Sequence, residues 1–394
     1  MRLTIAKKDL QRLLTTASKA VADEKTPIPW LSQIYLLVRG GRLRCEGTNM
    51  NGAVFTEAPI SADHPFEQGA ILVPCKDTLA RVAAMPEGLV DFETKGDQGT
   101  TVIIQARDAK RRFQIHGLSA DLWGNQLRFP EANLMTLPAT TLLKLIDSVE
   151  YAVSHDETRA HVNSALLTWQ MGALMAVATD GHRLALLKLP VEGLPPPTGK
   201  PDVLIRKNDL KLFKRLLEQA LHDPKATVSF GHTANVAALS VGDVQSVVKL
   251  TDSTFPPWMQ ATPRAWKRRF LVDRLGLLEA VKCVQLAGRE MVFLSTDEAG
   301  REVVVETTSP ESGDARDTVP ISGSPRIDPG YPVAFKMKMD PAYVREMLES
   351  FDTEQILMCI VGDGRDELFI VRGDEQALVP HEAPQFALCM PMKS

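Results

Sequence analysis

Two rhythms of apolar residues run through the chain, and each returns at a fixed interval. Short β-rich runs, Ile34-Tyr35-Leu36-Leu37-Val38, Ala165-Leu166-Leu167-Thr168-Trp169 and Met291-Val292-Phe293-Leu294-Ser295, read as strands. Each precedes a run that opens at a glycine and reaches a threonine: Gly41 to Thr48, Gly172 to Thr179, Gly300 to Thr307. The glycines lie 131 and 128 residues apart, and each threonine follows its glycine by seven. Two strands across a Gly turn predict a hairpin, here three times over. The helical rhythm repeats as well: Leu10, Leu13 and Leu14, then Leu142, Leu145 and Ile146, then Leu275 and Leu278. Asp77, Asp209 and Asp340, spaced 132 and 131 residues apart, each open a second apolar-periodic segment. Asp is a good helix N-cap, and Pro341 suits a first helical turn.

A shared period near 131 in three independent signals predicts three domains of one design. The fold class is α+β, each domain packing two helices on antiparallel sheet. Prolines interrupt the pattern at Arg128-Phe129-Pro130-Glu131 and Thr254-Phe255-Pro256-Pro257, giving domains 1–128, 129–256 and 257–394. Gly193-Leu194-Pro195-Pro196-Pro197-Thr198-Gly199 falls inside one repeat and reads as a loop of the second domain.

Composition removes several classes of protein. Hydrophobic content of 44% and charged content of 24% are those of a globular protein. No run is apolar enough for a signal peptide or a membrane span, so a cytoplasmic location is expected. Cys45, Cys75, Cys283, Cys359 and Cys389 are odd in number, scattered and without a Cys-x-x-Cys. They predict free thiols and no zinc site, and no metal or cofactor is expected. The formal net charge is −4, but its distribution is uneven. Segments 5–22, 76–84, 138–153, 206–218, 270–287 and 336–349, taken as helices, carry +3, +1, −1, +3, 0 and 0. Lys7, Lys8, Arg12 and Lys19, and Arg206, Lys207, Lys211, Lys214 and Arg215, supply most of the excess. A helix-lined positive surface would hold a phosphate backbone without reading its sequence. Ordinary solvated helix faces explain the same residues.

Asp180-Gly181-His182-Arg183 offers a second chemistry, with Asp orienting His for general-base work. No nucleophile elbow, phosphate loop, dinucleotide fingerprint or metal-spaced cluster accompanies it, and an Asp-Gly pair reads more simply as a turn. Both readings of His182, structural and functional, stay open on these residues alone.

At Ala178-Thr179-Asp180-Gly181-His182-Arg183-Leu184-Ala185 and at Met390-Pro391-Met392-Lys393 the chain resembles the bacterial DNA polymerase III β subunit family, the β sliding clamps. The resemblance extends to the N-terminal helix, the His155–Leu189 region and Phe255-Pro256-Pro257-Trp258. It implies a non-catalytic, head-to-tail dimeric ring of three domains per chain, enclosing duplex DNA and conferring processivity. It implies a pocket for short apolar motifs of the polymerase III α subunit, clamp-loader subunits and other clamp-motif proteins. The positions carried over are Val162, Thr179, Gly181, His182, Arg183, Leu184, Pro256, Trp258, Gln260, Tyr343, Met390, Pro391 and Met392. His182, Arg183 and Thr179 are the expected peptide donors. The resemblance puts DNA contacts at Lys25, Arg206 and Lys207, and the dimer interface at Phe113, Ile115 and Leu286.

Several positions depart from the family pattern. Pro257-Trp258 replaces a common Asp-Tyr, and Gln260 a frequent Arg. Ala160-His161 and Val162-Asn163-Ser164 also differ, and Lys393-Ser394 lacks a large apolar last residue. A diverged copy with altered partner choice or inhibitor resistance is one consequence. A protein-interaction scaffold that never encloses DNA is the remaining alternative.

Overall fold

In the computed structural model, which describes residues 1–95, 99–125, 127–130, 134–170, 172–190, 201–262, 266–309, 313–361, 368–372 and 383–392, one order of elements recurs. The first repeat runs β1 (Arg2–Ala6), α1 (Lys7–Ser18), β2 (Gln33–Arg39), β3 (Arg42–Thr48), β4 (Gly52–Pro59), β5 (Gly69–Pro74), α2 (Cys75–Ala83), β6 (Leu89–Lys95), β7 (Thr101–Ala106) and β8 (Arg112–His116). The second runs β9 (Leu134–Pro138), α3 (Ala139–Val149), β10 (Ser164–Gln170), β11 (Ala173–Thr179), β12 (Arg183–Pro190), β13 (Asp202–Arg206), α4 (Lys207–Ala220), β14 (Thr227–His232), β15 (Val236–Val241) and β16 (Val244–Lys249). A short α5 (Trp258–Ala261) follows. The third runs β17 (Arg268–Asp273), α6 (Arg274–Val284), β18 (Val292–Thr296), β19 (Glu302–Ser309), β20 (Gly313–Pro320), an added β21 (Arg326–Ile327), β22 (Lys336–Met339), α7 (Pro341–Glu349), β23 (Gln355–Ile360), β24 (Leu368–Arg372) and β25 (Gln385–Cys389).

Each repeat builds two four-stranded antiparallel sheets, and neighbouring repeats merge one sheet each. Pairing of β4 with β16 makes the eight-stranded order β5-β2-β3-β4-β16-β15-β14-β9. Pairing of β12 with β25 makes the nine-stranded order β13-β10-β11-β12-β25-β24-β23-β17-β21. The sheets β1-β6-β7-β8 and β20-β19-β18-β22 stay four-stranded. The chain divides into two compact units. The first holds β1 through β9, α4 from Asn208, and β14 through β16; the second holds β10 through β13 and everything from Thr251 onward. The middle repeat thus gives one sheet to each unit.

The three hairpin glycines all adopt positive φ, 73° at Gly41, 75° at Gly172 and 64° at Gly300, as tight turns of this kind require. One detail differs from expectation. β3 and β11 stop at Thr48 and Thr179, whereas β19 runs past Thr307 and pairs with β20 as far as Ser309. Thr307 donates its hydroxyl to the Met291 carbonyl (2.8 Å), so it closes no turn.

The helices bury the expected leucines in two places and not in the third. Leu10, Leu13 and Leu14 of α1 are fully buried with Leu3, Ile5, Val90 and Phe92 in the first repeat's core. Each such side chain stabilises the fold by roughly 1.5–3 kcal/mol. On α6 the core face is Leu277, Leu278, Val281 and Val284, and Leu275 is 52% exposed. Of the expected pair, Leu278 is core and Leu275 is not. Only Asp340 of the three acidic markers is a cap, accepting from the Ala342 and Tyr343 amides at 2.8 and 3.3 Å. Asp77 and Asp209 lie inside the first turns of α2 and α4. Helices α1, α4 and α6 follow their strands without a break, and their first amides donate to the carbonyls of Gly88, Asn163 and Glu354 at 2.9, 3.0 and 2.8 Å. On α1 and α4 a backbone acceptor does the work of a capping side chain, whereas α6 also has a side-chain cap, Asp273, which accepts from the Gly276 amide (2.5 Å).

Segments 270–287 and 336–349 are partly strand, so Lys336 and Lys338 belong to β22. Within the true helices the net charge is +2 on α1, +2 on α4, +1 on α6 and −1 on α7. No helix among the described residues is long and apolar enough to cross a membrane. All five cysteines are unpaired, and burial pushes the Cys75 and Cys389 thiols up to about 11 and about 12. The loop 193–199 lies outside the described residues.

Candidate functional site

The Asp180–His182 segment is a hairpin turn between β11 and β12, closed by its own polar groups. Thr179 Oγ1 donates to the Arg183 carbonyl (2.7 Å) and accepts from the Gly181 amide (3.1 Å). Asp180 Oδ1 accepts from the His182 and Arg183 amides at 2.9 and 3.0 Å. Gly181 has φ 97°, which a residue with a Cβ resists. Thr179 and Asp180 are thereby committed to backbone.

Arg183 is committed too. Its side chain is 5% exposed; Nε donates to Asp180 Oδ2 (2.9 Å), one terminal nitrogen to Glu346 (2.5 Å), the other to the Tyr151 carbonyl (2.6 Å). The guanidinium lies over the rings of Tyr343 and Tyr151, 4.1 and 5.3 Å from their centres. Burial alone would lower its pKa, but the bonds to Glu346 and Asp180 outweigh burial and raise it. Burial raises the Tyr343 hydroxyl, with the Asp180 charge adding to it. This is a buried cation locking the turn to α7, so the expectation that Thr179 and Arg183 are peptide donors is corrected. The exposed donor on this turn is His182.

The structure unites two segments that sequence alone leaves apart. Strand β25 pairs with β12, placing Cys389 opposite Arg183, and the Met390 amide donates to the His182 carbonyl (2.9 Å). The Met392 amide then donates to the Lys338 carbonyl (2.8 Å). Met390 and Met392 are each 38% exposed, and Pro391 is half-buried between them. Beside the turn, Val177, Leu184, Leu186, Phe386 and Leu388 form a buried apolar floor, with half-buried Phe255, Trp258 and Leu357 packed on it. Pro256 is half-buried, Gln260 exposed and Met259 63% exposed. Adaptable methionines around an apolar floor suit a short greasy peptide. Val162 is 1% exposed and cannot line such a surface; Leu184, at 3%, serves as floor. Lys393 and Ser394 lie outside the described residues.

The same turn exists in the first repeat, which the sequence reading missed. Thr48 Oγ1 donates to the Gly52 carbonyl (2.8 Å) and accepts from the Met50 amide (3.1 Å). Asn49 Oδ1 accepts from the Asn51 and Gly52 amides at 3.0 and 2.8 Å. The Lys249 amide donates to the Asn51 carbonyl (2.8 Å), as Met390 does to His182. Thr-Asn and Thr-Asp at equivalent points of the repeat were the available signal.

The basic side chains separate into free and spoken for. Lys8, Arg12, Lys211 and Arg215 of α1 and α4 are exposed, although Arg12 pairs with Asp243 (2.5 Å). Lys19 Nζ donates to the Arg215 carbonyl (3.0 Å). Burial, then the Arg215 charge, brings its pKa down to about 8. Lys8, Gln11, Arg12, Thr15, Glu87 and Gln219 line an open cavity of about 450 Å³. Lys25 is exposed and Arg206 half-buried. Lys207 is 6% exposed, donating to the Val153 carbonyl (2.6 Å) and lying 3.0 Å from His155 Nε2. Its ammonium is internal, which corrects its assignment as a phosphate contact. Of the expected dimer residues, Ile115 is 3% exposed in its own core, a correction of the same kind. Phe113 is half-buried on that core and Leu286 is 84% exposed.

Among the described residues no group of His, Cys, Asp or Glu could hold a metal ion. The fold is that of a three-domain clamp, and the β12–β25 join carries an apolar surface. Two family models match the chain, "DNA polymerase III beta subunit, N-terminal domain" over residues 1–125 and its "central domain" over 136–257. The beta sliding clamp of Pseudomonas putida is 24% identical over 383 residues, covering 96% of this chain and 98% of that one. The beta sliding clamp of Caulobacter vibrioides is 29% identical over 323 residues, 77% and 83% of the two chains. The crystal structure of the DNA polymerase sliding clamp from Bacillus subtilis superposes with a TM-score of 0.87 at 22% identity, covering 100% of this chain and 99% of that one. This chain belongs to the DNA polymerase III beta subunit family, whose members are non-catalytic processivity factors.

Proposed function

We propose that this protein is a DNA sliding clamp: two copies close head to tail around duplex DNA and tether the replicative polymerase through the surface at Trp258, Leu184 and Met390–Met392. The observation that carries this reading is the arithmetic of the sheets. The third strand after a repeat's first helix joins the last strand of the following repeat: β4 with β16, and β12 with β25. By the same rule β20 should pair with β8, and both stand at the edges of their four-stranded sheets. Unpaired edges of this length are adhesive. A second copy supplying β8 to β20, and receiving β20 on its own β8, completes the rule and closes the assembly. Phe113 of β8 and Leu286 just beyond α6 are the apolar candidates at that join.

The basic faces of α1 and α4 supply contacts that bind any duplex and weaken with salt. Enclosure makes strong contacts unnecessary, since a linked ring stays on DNA while each phosphate contact is brief. Tethering then keeps a bound polymerase at high effective concentration near the primer end. Partners include the polymerase III α subunit, clamp-loader subunits and other proteins bearing a short apolar motif.

The test is retention on circular DNA. Protein loaded onto nicked circles by a matching clamp loader should survive a high-salt wash on circles and be lost when the DNA is linearised. Equal loss from both, with a control clamp loading normally, would overturn enclosure and leave an interaction scaffold.

A further inference from the structure

A second feature lies on the same sheet as the apolar surface, and neither duplex binding nor ring closure uses it. Arg269 of β17 and Arg326 of β21 are direct cross-strand partners, an arrangement of like charges that weakens a sheet. Lys267 stands just before β17. Asp328 faces both Lys267 and Arg269, at 3.8 and 3.7 Å, and neither distance is a close pair. Lys267 is otherwise engaged by the Tyr331 ring, 5.4 Å to its centre. Arg269 Nε is buried without an acceptor, and Arg326 is exposed.

The strand register places this patch relative to the peptide surface. Phe270 and Val272 enter the core with α6 and α7, so Arg269 occupies the sheet face turned away from those helices. Cross-strand partners share a face, and one row runs Arg326, Arg269, Cys359, through β24, to Leu388, Leu184 and Thr179. Leu184 and Leu388 are floor residues of the apolar surface. Four strand spacings of about 4.8 Å separate Arg269 from Leu184, or about 19 Å, which an extended peptide covers in about six residues.

We propose that Arg269, Arg326 and Lys267 form an anion-recognising extension of the peptide surface, selecting partners that carry carboxylates about six residues from the apolar motif. This rests on the peptide-surface reading above. An acidic segment fits better than nucleic acid, because the patch shares its sheet face with the apolar floor and not with the helices.

The test uses fluorescence anisotropy on the full chain with three labelled peptides: an apolar Leu/Phe pentapeptide alone, the same with a six-residue spacer and three aspartates, and the same with three lysines. At low salt the aspartate extension should bind about tenfold tighter than the bare motif and the lysine extension no tighter. High salt should erase the difference. Arg326→Glu, an exposed change, should abolish the gain while leaving the bare motif's affinity unaltered. A gain that persists in Arg326→Glu, or no gain in the parent, overturns the extension while the peptide surface stands. Failure of the bare motif to bind overturns the peptide-surface reading itself. Loss of duplex binding in Arg326→Glu, with no peptide effect, would assign the patch to nucleic acid and overturn the proposal.

Discussion

The turn at Thr48–Gly52 and the turn at Thr179–Arg183 share the same pattern of four hydrogen bonds and have equivalent neighbouring strands, β16 and β25, yet only the second lies in a surface suited to a peptide. The difference sits in the last residue. Gly52 ends the first turn, where an added Cβ would lie 3.3 Å from Val248 and 3.4 Å from Leu212. Arg183 ends the second and reaches Asp180, Glu346 and two tyrosine rings. What covers each join also differs. Leu127 fills the first with half-buried Phe129, whereas half-buried Phe255 and Trp258 partly cover the second. One scaffold thus makes a closed seam at the β4–β16 join and a more open surface at the β12–β25 join, beside Met390-Pro391-Met392. Repeated architecture supplies the geometry, and a few side chains decide which copy leaves an apolar surface open.

The largest break in this comparison should come from Arg183→Ala. It strands two carboxylates in a part-buried site, and urea unfolding should show a loss of about 3–5 kcal/mol. A loss below about 1 kcal/mol would mean that the ion cluster is incidental. Thr48→Val and Thr179→Val remove the same two bonds from each turn. Thr48 is fully buried, so its loss should be the greater, about 1–3 kcal/mol. Next come the tips of the two turns, where opposite signs are expected. Gly181→Ala should destabilise by about 1 kcal/mol, and Met50→Gly, relieving a φ of 70°, should be neutral or slightly stabilising. Equal signs in calorimetry would show that the turns are not equivalent.

The smallest effect concerns the charged helices of the first unit. Lys19 titrates at about 8 in the folded chain against an ordinary 10.5. Between those values the unfolded chain binds the extra proton, so this residue makes stability rise with pH through that window. Binding to duplex should move the opposite way. Above pH 8 the neutral amine no longer counts as a phosphate contact, and the salt-dependence slope should fall by up to about 0.9. Lys19→Met should abolish that pH dependence in a salt titration.

The repeat was legible because hairpin glycines and buried leucines answer to local constraints. Gly41, Gly172 and Gly300 need positive φ, and Leu10, Leu13 and Leu14 need one buried face. Where tertiary contacts decide, local pattern misled. Asp77 and Asp209 resemble caps, but the first amide of α4 has a backbone acceptor in Asn163, supplied from far along the chain. Leu275 keeps helical spacing with Leu278 and still faces solvent, because α6 turns Leu277 and Val281 inward. Lys207 looks like surface charge, and only the fold reveals the Val153 carbonyl that accepts its hydrogen bond. The apolar site was half legible. Its residues came from family resemblance, while the juxtaposition of His182 with Met390 depends on strand pairing across more than half the chain.

The unmatched edges β8 and β20 carry a consequence for assembly. A head-to-tail surface that does not close grows into an open filament, because each added copy presents the same free edge again. In a two-copy ring the merged sheets occur six times and must share one complete rotation. Bending at the β4–β16 and β12–β25 seams therefore sets how many copies close. In the proposed ring a loosened seam would favour helical polymers, so seam side chains such as Leu127 and Phe129 would bear on how many copies close.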